Sequence, residues 1–192
     1  VTEMELLRNL AGGSFKREKR MMLAVAVVRD GRAVYQNSAL NDAVITKGAV
    51  ARTVYLNVEC DGVQAMECGG DGVIIATPTG STAYSLSAGG PIVEPDAHNI
   101  LITPICAHDM ASRCMVTSDK RTIRVELTKN ARRNAYVSVD GGKTYYHLDT
   151  TPRVGDGDDF CLVTDAVLDA YSDANKGCHN RDKSLYPATP EA

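Results

Sequence analysis

The sequence predicts a mainly β protein of antiparallel strands, with helix confined to two short places. Three observations carry that reading. Apolar runs recur on either side of Asp-Gly pairs, which are the strongest short-range signal for a tight hairpin. The alternating strand-helix spacing of a doubly wound fold is absent. Amphipathic helical spacing is found only at Thr2 to Leu10 and directly after Gly80.

Taken in order, Thr2 to Leu10 reads as a helix, and Met21 to Val28 with Arg32 to Gln36 flank the turn Arg29-Asp30-Gly31. Val54 to Cys60 and Val63 to Cys68 flank Asp61-Gly62 in the same way. Asp71-Gly72-Val73-Ile74-Ile75-Ala76 is an apolar strand running into Thr77-Pro78-Thr79-Gly80-Ser81-Thr82. There the hydroxyls of Ser81 and Thr82 open a second helix that Gly89-Gly90-Pro91 ends. Thr122 to Thr128, Ala135 to Val139, Lys143 to Leu148 and Asp159 to Val163 complete the strands, with turns at Asp140-Gly141-Gly142 and Gly155-Asp156-Gly157. The expected organisation is an N-terminal segment with a short helix (1–20), a β-rich ligand-binding domain (21–170) and a polar tail (171–192) carrying Pro187 and Pro190 that frays unless covered.

A chain of 192 residues with 44% hydrophobic and 23% charged residues is long enough and apolar enough to bury a core. No stretch reads as a membrane span and no secretory pattern is visible, so no membrane partner is expected. A net charge of −3 argues against a nucleic-acid binder that works by neutralising phosphates. The six cysteines form no C-x-x-C pair and have no finger-like spacing to histidine, so neither zinc nor any other metal ligand is assigned. Cys60, Cys106 and Cys161 lie in apolar surroundings that suit reduced, buried thiols, and a cytoplasmic setting follows.

The run from Asp71 to Pro91 is the most informative segment. A strand delivered onto a helix N-terminus presents unpaired N–H groups and the positive end of the helix dipole, an arrangement suited to a phosphate or pyrophosphate. The segment resembles the signature of NAD kinases, which phosphorylate the adenosine 2′-hydroxyl of NAD with ATP or polyphosphate. The resemblance extends from about Glu5 to about Asp165, through Lys19 to Val25, Ala39-Leu40-Asn41-Asp42-Ala43-Val44-Ile45, Pro104-Ile105-Cys106-Ala107-His108 with Arg113, and Val137-Ser138-Val139-Asp140-Gly141. Ala107 and Cys114 stand where the family usually has proline.

The resemblance implies the two-sheet, β-sandwich-like C-terminal domain of that family, with one short functional helix. It also implies a set of contacts to NAD. Asn41 and Asp42 meet the adenosine half; Thr82 and Ser87 belong to the adenine pocket, beside Thr79, whose hydroxyl can hydrogen-bond adenine or phosphate; Asp71, Ala83 and Tyr84 face the nicotinamide half of an NAD held mainly by a neighbouring subunit; Asp140 lies at the same site. A homodimer or homotetramer binding NAD or NADP is then expected, with magnesium and ATP or polyphosphate used by the intact enzyme. Family members begin with a Rossmann-like domain whose Gly-Gly-Asp-Gly turn carries the catalytic aspartate. Gly69-Gly70-Asp71-Gly72 spells that motif but adjoins the Thr-Pro-Thr-Gly-Ser run, so Asp71 is read on the substrate side, no catalytic residue is assigned, and the chain by itself is expected to be inactive.

Plainer roles compete at each position. Gly69 to Gly72 also suits a hairpin turn, Asn41-Asp42 a turn into a strand, Ser81 and Thr82 a helix cap with Tyr84 and Leu86 packed in a core, and Asp140-Gly141 a hairpin turn. His108 reads as a structural histidine and His147 as a cross-strand residue. A stand-alone dinucleotide-binding or oligomerisation module without catalysis is the alternative function.

Overall fold

The computed structural model describes residues 2–48, 53–109, 112–128, 135–142, 146–148 and 160–164. A helix α1 (Glu3–Ala11) is followed by strands β1 (Leu23–Arg29), β2 (Arg32–Ala39), β3 (Asp42–Lys47), β4 (Val54–Cys60), β5 (Val63–Gly70) and β6 (Gly72–Ala76). A 3-10 turn (Thr79–Thr82) leads to helix α2 (Tyr84–Ser87). Then come β7 (Asn99–Ile105), β8 (Met115–Ser118), β9 (Ile123–Leu127), β10 (Ala135–Val139), β11 (Tyr146–Leu148) and β12 (Phe160–Thr164). The predicted tail and the turn at 155–157 lie outside the described residues.

The strands form two six-stranded sheets, in the orders β2-β1-β12-β9-β4-β5 and β11-β10-β3-β6-β7-β8, with every adjacent pair antiparallel. The mainly β, two-sheet expectation therefore holds. In the first sheet the Asp-Gly turns do what their chemistry suggests. Asp30 and Gly31 have φ of 49° and 71°, and Asp61 and Gly62 have φ of 51° and 78°, the left-handed pair that closes a two-residue hairpin with the correct twist.

Burial separates the sheets. The first alternates, as in β1, β4 and β9, because one face meets the core while the other meets water. In the second sheet every residue of β6 is buried, as are Ile100 to Ile105 in β7 and Asp42 to Ile45 in β3. Its inner face shares the main core with the first sheet through Ala43, Ile45, Val73, Ile75, Ile100 and Ile102. Its outer face carries a second cluster, Val44, Ile74, Ala76, Leu101 and Ile105, covered by Ala88 and Val93 from the segment that follows α2.

That segment is pinned by one serine. Buried Ser81 donates its hydroxyl to the carbonyl of Val93 (3.2 Å) and accepts the Val93 amide (3.1 Å). Ser85, also buried, pairs with Thr103 of β7 at 2.9 Å. The predicted helix after Gly80 is thus a single 3-10 turn and a single α-turn, split at Ala83, whose ψ of −129° is incompatible with helix. The cysteine reading needs a correction too. Cys106 is exposed at a bend after β7 with φ of 46°, whereas Cys68 is the fully buried thiol.

Candidate functional site

The chain crosses from the first sheet to the second at Leu40-Asn41, between β2 and β3, and again at Asp71, between β5 and β6. Both corners coincide with motif residues. Asp71 is therefore at a sheet-switching bend and not in a hairpin turn. Its amide donates to the Ile105 carbonyl (2.9 Å), its carbonyl accepts the Lys47 amide (2.9 Å), and its carboxylate pairs with Lys47 Nζ at 2.6 Å.

The corner at residues 40–42 is held from two sides. Thr77 Oγ1 donates to the Leu40 carbonyl (2.6 Å) and the Thr77 amide to the Asn41 carbonyl (2.9 Å). From the other side the Asp140 carboxylate accepts the amides of Leu40 (2.8 Å), Asn41 (2.7 Å) and Asp42 (3.1 Å), and the Asp140 amide donates to the Asp42 carbonyl (3.0 Å). Every backbone polar group of the corner thereby has a partner, which is what a nonrepetitive segment at the margin of a core requires. Gly80 presses against the same corner: a Cβ there would overlap the Asn41 carbonyl, so the residue has to be glycine.

A groove of about 430 Å³ opens beside this corner, lined by Asn41, Asp42, Val44, Thr46, Ala83, Tyr84, Ser138, Asp140 and Gly141. Its size falls in the range of small-ligand sites. Strand alternation explains its floor: Asp42, Val44 and Thr46 share the outer face of β3, and Ser138, which pairs with Val44, faces the same way from β10. Ala83 and Tyr84 make one wall. The Asn41 side chain has no hydrogen-bond partner among the described residues and remains available.

Asp42 is the electrostatic centre of the groove. Burial, and next the neighbouring Asp140 charge, push its carboxyl up to about 6, against a smaller opposing effect of the Tyr84 amide that donates to it. A buried acid poised near neutrality can accept from a ligand hydroxyl when ionised and donate when protonated.

The groove thus gathers Asn41, Asp42, Ala83, Tyr84 and Asp140, while Asp71, Thr79, Thr82 and Ser87 do not line it. Asp71 joins the far end of β3, about 16 Å along the strand from Asp42 at ~3.3 Å per residue. Thr82 Oγ1 donates to the Thr79 carbonyl (3.4 Å), Ser87 is exposed on α2, and Thr79 Oγ1 is buried without a partner among the described residues.

The helix N-terminus expected to cradle a phosphate is corrected. Four of its amides are already used: Gly80 donates to Thr77 Oγ1, Ser81 to the Pro78 carbonyl, Ala83 to the Gly80 carbonyl and Tyr84 to Asp42. A single turn also sums too few peptide dipoles to attract an anion strongly. His108 is exposed, with its amide on the Gly69 carbonyl (2.8 Å), and the His147 side chain lies outside the described residues. Thr46, Thr77 and Ser138 were missed by the sequence reading. Period-two alternation from Asp42 points to Thr46, whereas Ser138 and Thr77 become site residues only through pairing across the fold.

Residues 40–154 match the family model of the ATP-NAD kinase C-terminal domain. The chain belongs to the NAD kinase family. It is 57% identical over 141 residues to an NAD kinase of Symbiobacterium thermophilum, covering 73% of this chain and 49% of that protein. With an NAD kinase of Ruminiclostridium cellulolyticum the identity is 44% over 137 residues, covering 71% and 48%. The chain spans about half the length of the curated relatives it matches.

Two solved structures are also similar. Yeast NADH kinase complexed with NADH matches with a TM-score of 0.69 at 30% identity, covering 84% of this chain and 44% of that one. An NAD kinase from Archaeoglobus fulgidus in complex with ATP matches with a TM-score of 0.61 at 26% identity, covering 84% and 56%.

Proposed function

We propose that this chain is the dinucleotide-accepting half of an NAD kinase, holding NAD so that its adenosine 2′-hydroxyl can receive a phosphoryl group and NADP is formed. One observation carries the reading. The groove lies inside the region matched by the family model, and it combines a free amide side chain at Asn41 with a buried, proton-poised carboxyl at Asp42. Asn offers a donor and an acceptor to a base edge, and a carboxylate accepts from vicinal ribose hydroxyls. Tyr84 adds an aromatic wall at the rim. Thr79, Thr82 and Ser87, from the same motif, and Asp71 at the far end of β3 extend the proposed contact surface beyond the groove, and a neighbouring copy in a homodimer or homotetramer would complete it.

The donor is proposed to be ATP or polyphosphate with magnesium, in a cytoplasmic enzyme. The described residues do not fit a magnesium site. No group of three or more His, Cys, Asp or Glu gathers among them, both Asp140 oxygens are taken by backbone amides, and Asp71 is paired with Lys47. The contribution of the groove residues is therefore binding and orientation of the acceptor, a large share of the work in phosphoryl transfer, where catalysis is mainly positioning and charge stabilisation. No helix among the described residues is long and apolar enough to cross a membrane.

Calorimetric titration of the chain with NAD, followed by an NADP-formation assay with ATP and magnesium, tests the proposal. Saturable NAD binding without turnover by this chain alone is the expected result. Absence of NAD binding overturns the reading, and kinase-like turnover by the purified chain overturns its restriction to the acceptor half.

A further inference from the structure

The Asp140 side chain lines the groove, yet its oxygens are taken by the backbone of the neighbouring corner. Oδ2 accepts the Leu40 amide, and Oδ1 is shared by the amides of Asn41 and Asp42. The Asp140 amide closes the arrangement on the Asp42 carbonyl. Three successive amides converge on one carboxylate and occupy three of its roughly four acceptor sites, both of those on Oδ1 included. Bonds from N–H groups to an ionised acceptor are also the shorter and stronger class.

The turn that carries Asp140 is built for this. Asp140 and Gly141 have φ of 49° and 62°, and the Gly142 amide closes on the Val139 carbonyl at 2.9 Å. The pairing of β10 with β3 ends at Val139↔Ala43, so the turn that follows Val139 lies beside the corner that precedes β3. Thr77 grips only the carbonyls of Leu40 and Asn41. Without the carboxylate, the three amides would face the groove unpaired.

We infer that Asp140 is a positioning residue of the dinucleotide site: its carboxylate clamps the Leu40–Asp42 backbone, so that the Asn41 and Asp42 side chains are presented to the ligand, and it does not itself contact the ligand. This rests on reading the groove as the NAD site. It assigns Asp140 a different role from that of a substrate contact, and it explains why an aspartate serves where glycine or asparagine would form the same turn.

The test uses the 192-residue chain and two variants that both tolerate left-handed φ. Asp140→Gly removes the carboxylate and keeps the turn; Asp140→Asn keeps one acceptor oxygen. In ligand-free chain, amide hydrogen exchange at Leu40, Asn41 and Asp42 should quicken about tenfold or more in Asp140→Gly and by less in Asp140→Asn, while Ile45 and Val137 hold their rates. Unchanged exchange at all three amides overturns the clamp. Should Asp140→Gly fail to fold, Asp140→Asn supplies the same reading.

Titration with NAD then separates positioning from contact. Asp140→Gly should weaken binding about tenfold in the parent chain and much less in an Asn41→Ala/Asp42→Ala background, because its effect runs through those two side chains. Equal losses in both backgrounds would mean that Asp140 touches the ligand directly, which overturns the inference. A parent chain that takes up no NAD would refute the ligand reading of the groove, and the exchange rates would still decide the clamp.

Discussion

The two sheets are built from similar strands and do different work. The first keeps one face wet, closes its hairpins with Asp30-Gly31 and Asp61-Gly62, and contributes only its inner face to the shared core. The second is covered on both faces over β6 and β7, where Ala88 and Val93 seal Ile74, Leu101 and Ile105. Beside Val44 of β3 that cover gives way to the groove, where Asp42, Thr46 and Ser138 of β3 and β10 meet Ala83 and Tyr84. The groove thus lies where the outer face of an otherwise doubly buried sheet turns polar. The polar side chains that β3 and β10 turn outward there, at Asp42, Thr46 and Ser138, would be costly under an apolar cover.

Damage to the first sheet should cost stability and spare the ligand. Leu56 is fully buried in β4, so Leu56→Ala should lower unfolding free energy by about 2–5 kcal/mol in urea titrations, with NAD affinity of the folded protein unchanged. A folded Leu56→Ala chain that no longer binds NAD would break the division of labour between the sheets.

The two sheets should also answer pH with opposite sign. The Asp42 carboxyl is raised on folding from 3.8 to about 6, so the folded state holds a proton that the unfolded chain has released. Its favourable contribution is complete below pH 3.8 and is lost as pH rises through about 6. At about 1.4 kcal/mol per pH unit the loss approaches ~3 kcal/mol. Asp42→Asn should therefore match the parent near pH 4 and exceed its melting temperature at pH 7. Asp61, in the first sheet's turn, is held below the usual carboxylate range by its hydrogen bond to Arg121 and then by the Thr122 amide. Its contribution is present at neutral pH and is lost as pH falls through its lowered value. Melting curves of Asp42→Asn and Asp61→Asn across pH 3–8 would collapse the contrast if their pH dependences had the same sign.

Asn41→Ala should do the reverse of the core substitution. Removing a group that pairs with a desolvated ligand edge should cost about 1–3 kcal/mol of NAD affinity, roughly five- to over a hundredfold, with little change in melting temperature. A lowered melting temperature with parental affinity would remove Asn41 from the site and return it to the role of a turn residue. The smallest effect is expected at Gly31, whose φ is 71°. Gly31→Ala should cost about 1 kcal/mol of stability through left-handed strain and leave NAD titrations unchanged.

Most of the first sheet was legible because its signals are local. An Asp-Gly pair sets its own turn, and alternation on either side shows which residues face the core, as at β1, β4 and β9. β7 and β8 were not read as strands, since a continuous apolar run such as Ile100 to Ile102 has no period to distinguish strand from helix. The helix after Gly80 was read too long for a related reason. Ser81 and Thr82 look like caps in sequence, but Ser81 spends its hydroxyl on Val93, a partner chosen by packing.

By itself the sequence determined a mainly β chain, the placement of its Asp-Gly turns and a family signature that marked Asn41, Asp42, Asp71, Thr79, Thr82, Ala83, Tyr84, Ser87 and Asp140. Which of the marked residues share a groove was decided only by the tertiary structure. Asp42 and Asp140 are neighbours because β3 and β10 pair, and Asp71 is remote from them because β3 separates the two sheet-switching corners along its length. The physical reason is range. Turn and strand preferences act over a few residues, whereas the protonation of Asp42 and the three amides gathered by Asp140 depend on burial and on contacts between segments about a hundred residues apart.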